Sequence, residues 1–240
     1  MKDLTIVVPC YNEASRGDIR RLESNINHII SLLKKTKYDF EILLIDDHSK
    51  DNTKELIKGM EGRIKRVRCL FHEKNIGRGG TVSDGIRNCN SRIVGFIDID
   101  LSTPPHYILP LVREIEKGSD LATAERIYRF DREILSVFHR YVLHKGYRYL
   151  VKKFFRTKLR DTETGCKFFN RERILPILEE IKDNGWFWDT EIMIRSYFKG
   201  YKIKEVPTLY HRGDRSTTVR LMKDTRDYFI NLIKFKKELR

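Results

Sequence analysis

The first 125 residues alternate short, β-rich apolar runs with longer amphipathic segments, and that alternation leaves few folds open. The runs 4–8, 40–45, 67–71, 93–97 and 121–124 read as strands. Between them, 20–34, 53–60, 77–89 and 108–117 read as helices. In the first of these, Leu22, Ile26, Ile29, Ile30 and Leu33 recur at helical spacing. Continuous apolar runs separated by amphipathic helices predict βαβ units and a mainly parallel sheet covered on both faces. Ligands of such sheets gather at the carboxyl ends of the strands. The unusual polar residues of this sequence stand at those ends.

The second half differs in charge. Residues 1–125 carry 20 basic and 19 acidic side chains, whereas 126–240 carry 28 and 15, within a chain of net charge +14. Segment 131–156 reads as one long helix or two, with Phe138, Tyr141, Tyr147, Phe154 and Phe155 interleaved among arginines and lysines. Residues 167–169 read as a strand, 172–181 and 190–198 as helices, 201–206 as a strand closed by Pro207, and 221–239 as a basic amphipathic helix. Such asymmetry predicts an anionic partner for the second half: a phosphate, an anionic lipid surface or a nucleic acid. No nucleic-acid motif accompanies the charge, and the acidic strand ends would repel a phosphate backbone. Four cysteines without C-x-x-C spacing predict buried thiols in a reducing cytoplasm, and neither a signal peptide nor a membrane-spanning run is expected.

Three strand ends carry candidate chemistry. Asp98 and Asp100 follow the fourth strand, and acids two apart point to one side of an extended chain. Buried together they repel, a conflict that Mg²⁺ or Mn²⁺ bound with substrate phosphates removes. Asp46 and Asp47 end the second strand, placed either to accept hydrogen bonds from a nucleoside or, with Ser49 and Asp51, to cap the next helix. At the end of the first strand, Pro9 stops the ladder and Tyr11 offers a ring for stacking. The glycine-rich stretch 74–80, with Lys74, Gly77 and Arg78, opens a helix and reads as a diphosphate cradle or a plain turn.

Together these segments resemble the family 2 glycosyltransferases of the GT-A fold, in the branch of polyprenyl- and dolichyl-phosphate sugar synthases. The matching stretches are VVPCYNE at 7–13, IDDHSKDNT at 45–53, KNIGRGG at 74–80, DIDLSTPP at 98–105, TAER at 123–126, RDTETGCKFFNR at 160–171, WFWDTEI at 186–192 and VPTLYHRGDRS at 206–216. They run in order through nearly the whole chain and lie nearer the glucose-type than the mannose-type synthases. The resemblance implies a single GT-A domain over 1–240, with a nucleotide-sugar-binding half at 1–125 and an acceptor half at 126–240. Pro9, Tyr11, Glu13 and Asp47 would meet the nucleoside, and the stretch Asp98, Ile99 and Asp100 the donor diphosphate and its Mg²⁺ or Mn²⁺. Arg126, Arg140, Arg212 and Ser216 would meet the acceptor phosphate. Ser102 stands where mannose-type enzymes often carry Gln, and the family's G-x-S-K ending appears as Gly213–Thr217 without its Lys.

The implied reaction moves a hexose from a UDP-glucose or GDP-mannose class donor to a polyprenyl or dolichyl phosphate, inverting the anomeric carbon. A phosphate with a second pKa near ~6 is already a dianionic nucleophile at neutral pH and needs no strong base. A soluble glycan or protein hydroxyl acceptor, the alternative on the same fold, would need one, and Asp189 would then be indispensable. The expected setting is the cytoplasmic face of a membrane, bound peripherally, with a separate membrane-anchoring partner protein possible and no nucleic acid.

Overall fold

The computed structural model describes residues 2–16, 19–128, 134–209 and 221–239, with the side chains of 16, 19, 20, 134–140 and 221–225 outside that description. In chain order the elements are β1 (Lys2–Cys10), α1 (Ile19–Leu33), β2 (Phe40–Asp46), α2 (Thr53–Arg63), β3 (Val67–Phe71), α3 (Arg78–Arg87), β4 (Ser91–Ile97) and α4 (Ile108–Glu116). They continue as β5 (Leu121–Ile127), α5 (Ile134–Phe155), β6 (Cys166–Asn170), α6 (Arg171–Leu178), α7 (Trp188–Phe198), β7 (Ile203–Leu209) and α8 (Leu221–Glu238).

Among the described residues, all seven strands share one sheet in the order β3-β2-β1-β4-β6-β5-β7. Every neighbouring pair is parallel except those of β6, which runs antiparallel to β4 and β5. Both faces of the central strands are buried, which is why β1, β2 and β4 read as largely apolar runs, whereas the edge strands β3 and β7 are only partly covered. On β1, Leu4, Ile6 and Val8 join one core with α1, α2 and α4, while Val7 joins the other with α3, α6 and α7. The strand order reverses direction at β1 and β4. The ends of β1, β2 and β4 therefore meet one crevice, where ligands of such sheets bind.

Two expectations about proline change. Pro9 does not end β1: pairing with β4 stops at Val7, but pairing with β2 runs on through Pro9 and Cys10. Nor does Pro207 close the last strand. It lies inside β7, opposite Glu125 of β5, and β7 is an edge strand where a missing N–H can face outward. The long basic segment is a single helix from Ile134, with 131–133 outside the described residues. Several of its aromatics serve the core and not the surface: Phe155 packs on Phe235 of α8, and the Tyr147 hydroxyl bonds Thr190 at 2.8 Å. Leu232 and Phe235 of α8 are likewise buried. The four cysteines are buried and unpaired.

The antiparallel insertion depends on one absent side chain. Gly95 of β4 lies opposite Phe168 of β6, and a Cβ there would come within 2.2 Å of the buried Phe168 ring. Gly95→Ala is therefore expected to destabilise the protein by about 1–3 kcal/mol, as overpacked cores do, which the midpoint of urea unfolding measures.

Candidate functional site

The loops after β1 and β2 are stitched together. The Asn12 N–H donates to Ser49 Oγ at 2.9 Å, the Lys50 N–H to Asn12 Oδ1 at 2.7 Å, and the Glu13 N–H to Thr53 Oγ1 at 2.8 Å. Both loops turn through left-handed residues, Asn12 (φ 52°) and His48 (φ 60°), types that tolerate that region better than most. Tyr11 and Glu13 are half-buried beside them. Asp46 accepts the Ser49 N–H at 3.1 Å through Oδ2, so it fixes a turn and not a helix cap, while its buried Oδ1 has no hydrogen-bond partner. Asp51 takes the nearer capping role, accepting the Thr53 N–H at 3.0 Å.

Asp47 organises the glycine-rich stretch. It accepts the N–H groups of Ile76 and Gly77, both at 2.9 Å, and meets His72 Nδ1 at 2.9 Å. Lys74 is exposed at the tip of this loop. Gly77, at φ 87°, is the N-cap of α3. The glycines that follow are packed against the start of α7. A Cβ on Gly79 would lie 2.3 Å from Trp188 Cβ, and the Gly80 N–H donates to Asn184 O at 3.0 Å.

The two acids after β4 are brought together by a turn rather than by strand geometry. β4 ends at Ile97, Leu101 adopts φ 52°, and the Leu101 N–H closes back on Asp98 O at 3.0 Å. Asp100 is exposed and accepts the Ser102 N–H at 2.9 Å. Asp98 is seated deeper, and the Arg78 guanidinium grips its Oδ1 through Nε at 2.8 Å and Nη2 at 2.7 Å. Arg78 Nη1 donates to Asp189 Oδ2 at 2.7 Å. Lys167 Nζ donates to Asp189 Oδ1 at 2.6 Å and to Thr164 O at 2.6 Å, with its side chain wholly buried. Lys167, Asp189, Arg78 and Asp98 thus form a row of alternating charge. Burial, with Asp100 and Asp189 nearby and Arg78 opposing, pushes the Asp98 carboxyl up to about 6. Burial would lower the Arg78 guanidinium, but Asp189 and Asp98 overcome it and raise it above its usual range. Burial lowers Lys167 in spite of Asp189.

Three carboxylates against two cations leave negative charge in excess, which fits a hard divalent ion at Asp98 and Asp100. His144, Asp161 and Glu163 form a second group with metal-like spacing. The Arg126 guanidinium already occupies its ligand atoms, bonding Asp161 through Nε and Nη2 at 2.8 Å each, Glu163 at 3.1 Å and His144 Nδ1 at 2.8 Å. That group does not fit a metal unless Arg126 leaves.

Residues 161–165 hold the site together. Asp161 and Glu163 meet Arg126, Thr162 bonds Thr190 at 3.0 Å, and Thr164 bonds Thr123 at 2.7 Å. Gly165 O accepts the Asp98 N–H at 2.9 Å, and a Cβ on Gly165 would fall 1.8 Å from Asp98 Oδ2. Glu191, the other early acid of α7, is structural: it accepts the N–H groups of Lys182 and Asp183 and pairs with Arg195 at 2.7 Å. The indole of Trp188 is fully buried and donates to Ser83 at 2.7 Å, whereas Trp186 is partly exposed with its ring centroid 5.1 Å from Arg78. Arg140 lies on α5 with its side chain outside the described residues, and Arg212, Ser216 and the 213–217 ending lie outside them altogether. Sequence reasoning missed the roles of Lys167 and Gly165. The available signal was a lysine inside the otherwise apolar β6, two residues after Gly165.

The sequence matches the profile described as Glycosyl transferase family 2 over residues 5–175. It is 30% identical over 226 residues to Glycosyltransferase AglD of Haloferax volcanii, an alignment that covers 92% of this chain and 35% of that one. It is also 30% identical over 233 residues to the Dolichyl-phosphate beta-glucosyltransferase of Saccharomyces cerevisiae, covering 89% and 68% respectively. The chain therefore spans about a third of the first relative's length and about two thirds of the second's. Among solved structures, mannosyl-3-phosphoglycerate synthase from Rubrobacter xylanophilus superposes with a TM-score of 0.69 over 99% of this chain and 74% of that one. At 17% identity, this is a likeness of fold.

The Arg126–Asp161 pair sets a pH-dependent share of stability. Burial would raise the Asp161 carboxyl, but Arg126 and its hydrogen bonds hold it well below the usual carboxylate range. Its contribution is full above the unfolded pKa of about 4 and disappears as pH falls toward the folded value. Asp161→Asn is expected to cost about 3–5 kcal/mol at pH 7, and the gap from the parent protein should narrow below pH about 4, as urea unfolding across pH would record.

Proposed function

The chain belongs to glycosyl transferase family 2, and on that footing we propose that it transfers a hexose, with inversion, from a nucleotide-sugar to a polyprenyl or dolichyl phosphate. The observation that carries this reading is the state of Asp189. Lys167 takes one of its oxygens and Arg78 the other, and the residue is 2% exposed. A general base must reach the proton it removes, and Asp189 is occupied on both sides. An acceptor that brings its own dianionic nucleophile suits such a site, since a phosphate monoester has shed most of its second proton by pH about 7. The yeast relative, a dolichyl-phosphate beta-glucosyltransferase, points to the same acceptor class and to glucose as the sugar.

Asp98 and Asp100 are the residues to hold Mg²⁺ or Mn²⁺, which when bound would offset the charge of the leaving diphosphate. On this reading Pro9, Tyr11, Glu13 and Asp46, at the joined ends of β1 and β2, would meet the nucleoside. Asp47 supports that side from behind, through its grip on the 76–77 backbone. Arg126 would meet the acceptor phosphate by giving up Glu163 while Asp161 keeps its hold, with Arg140, Arg212 and Ser216 as further phosphate contacts.

Membrane contact is assigned to α5. Val142, Lys145, Tyr149, Lys152 and Lys153 are exposed along one face of that helix, with Lys153 over the Tyr149 ring. Among the described residues no helix is long and apolar enough to cross a membrane. A basic-aromatic stripe suits peripheral attachment to an anionic cytoplasmic leaflet, at about 1 kcal/mol per basic residue.

Incubation with UDP-glucose or GDP-mannose, Mn²⁺ and a short polyprenyl phosphate should place labelled sugar in the organic phase. EDTA or Asp100→Ala should lower transfer on the order of 100-fold. The rate should climb through pH about 6 to a plateau, following the acceptor's second ionisation. Preferential labelling of a glycan or protein hydroxyl would overturn the acceptor reading. Charge reversal at Lys145, Lys152 and Lys153 should release the protein from phosphatidylserine vesicles in a flotation assay. Transfer to the short detergent-solubilised acceptor should survive those changes, and vesicle binding that also survived them would remove α5 from the membrane contact.

A further inference from the structure

Arg78 is committed to carboxylates on every side where its contacts are seen. Nε and Nη2 converge on one oxygen of Asp98 and Nη1 reaches Asp189, while the guanidinium lies 5.1 Å from the ring centroids of both Phe96 and Trp186. Its side chain is 11% exposed. The first acid of the Asp98–Asp100 pair is therefore neutralised by a cation of the protein itself. Asp189, pinned from its other side by Lys167, fixes where that cation sits.

We propose that Arg78 is a positioning residue that exchanges partners: it pairs with Asp98 while the donor is absent, and passes to the donor diphosphate when a divalent ion takes Asp98. Metal and nucleotide then bind as a couple. The inference rests on reading Asp98 and Asp100 as the metal-holding pair. An ion at Asp98 with Arg78 still in contact would set like charges against each other in a poorly screened place. A guanidinium freed from Asp98 needs another anion, because an unpaired buried charge is strongly unfavourable. A diphosphate supplies one, and the planar fork of arginine suits it. The Nη1 contact to Asp189 can persist through the exchange and serve as the pivot. The position suits the task, since Arg78 is the first residue of α3, whose N-terminus also favours an anion.

The exchange predicts the following outcomes, of which the Arg78→Lys and double-variant results separate it from simple electrostatics. Mn²⁺ alone, followed by electron paramagnetic resonance, should bind Arg78→Met about tenfold more tightly than the parent protein, within the usual span of coupling between sites. Arg78→Lys should also bind Mn²⁺ more tightly than the parent, because lysine keeps the charge but loses the fork. In EDTA, calorimetry with UDP and GDP should show Asp98→Asn binding a nucleoside diphosphate more tightly than the parent. That gain should vanish in the Asp98→Asn/Arg78→Met double variant. Mn²⁺ affinity unchanged in Arg78→Met, or a gain from Asp98→Asn that persists without Arg78, overturns the exchange and leaves the metal reading standing. Mn²⁺ binding to none of these proteins, with or without nucleotide, overturns both. Thermal melting checks that each variant is folded, and if Arg78→Met is unstable the Arg78→Lys titration decides, since Mn²⁺ affinity no higher than the parent's there also overturns the exchange.

Discussion

A lysine with no exposed surface sets the terms for this molecule. Lys167 sits inside a strand between two others, and stripping water from its ammonium group is tolerable only because Asp189 and the Thr164 carbonyl receive it. Removing one partner of such a pair costs about 3–5 kcal/mol, because the other is left charged and unpaired. Asp189 then has a second oxygen to satisfy, Arg78 satisfies it, and Arg78 in turn reaches Asp98. Four groups from four parts of the chain are drawn together by the need to pair one buried charge. Gly79 and Gly165 carry no side chain for a related reason: helix α3 must touch Trp188, and the 161–165 segment must pass directly beside Asp98.

Much of the architecture was legible in the sequence because the strands are covered on both faces. Runs such as 40–45 and 67–71, apolar but for Glu41 and Arg68, have one reading when helical periodicity flanks them, and β3 has the bounds that the sequence indicates. Prolines misled because their effect depends on which side of a strand is paired: Pro9 and Pro207 both lie inside strands, beside a ladder that has ended or an edge that has no neighbour. At the site, residue types indicated chemistry without indicating partners. Nothing about Arg126 in sequence says that Asp161, 35 positions on, takes three of its N–H groups. Likewise the glycines after Lys74 resemble a phosphate cradle, while in the fold Gly79 and Gly80 are buried against the segment before α7. Contacts between distant segments decide these cases, and a single sequence carries no record of them.

The stretch 161–165 shows how compactly a short motif can serve two halves of a sheet. Asp161 and Glu163 neutralise a cation at the end of β5, Thr162 extends a hydroxyl chain from Thr190 to Tyr147, and Gly165 receives the backbone of Asp98. Asp98 and Arg126, which the proposed function gives to donor and acceptor, are thereby set by one piece of backbone, and a shift in it would disturb both. That arrangement suits a group transfer in which two anionic reactants must be brought into register before the bond exchange.

The strand order also governs how the chain can fold. β5 meets the rest of the sheet only through β6, a strand that follows it in sequence by a whole helix, and β7 in turn meets only β5. During synthesis, β1 to β4 can assemble into a four-stranded parallel unit, but one edge of β4 stays bare until residues 166–170 emerge. Until then β5 has no neighbour and β4 offers an unpaired ladder, the kind of edge on which nascent chains associate wrongly. Non-local pairing of this sort is slow. The insertion of β6 carries Lys167 into place as it closes that edge, so the step that joins β5 to the first four strands also introduces the buried charge around which the site is built.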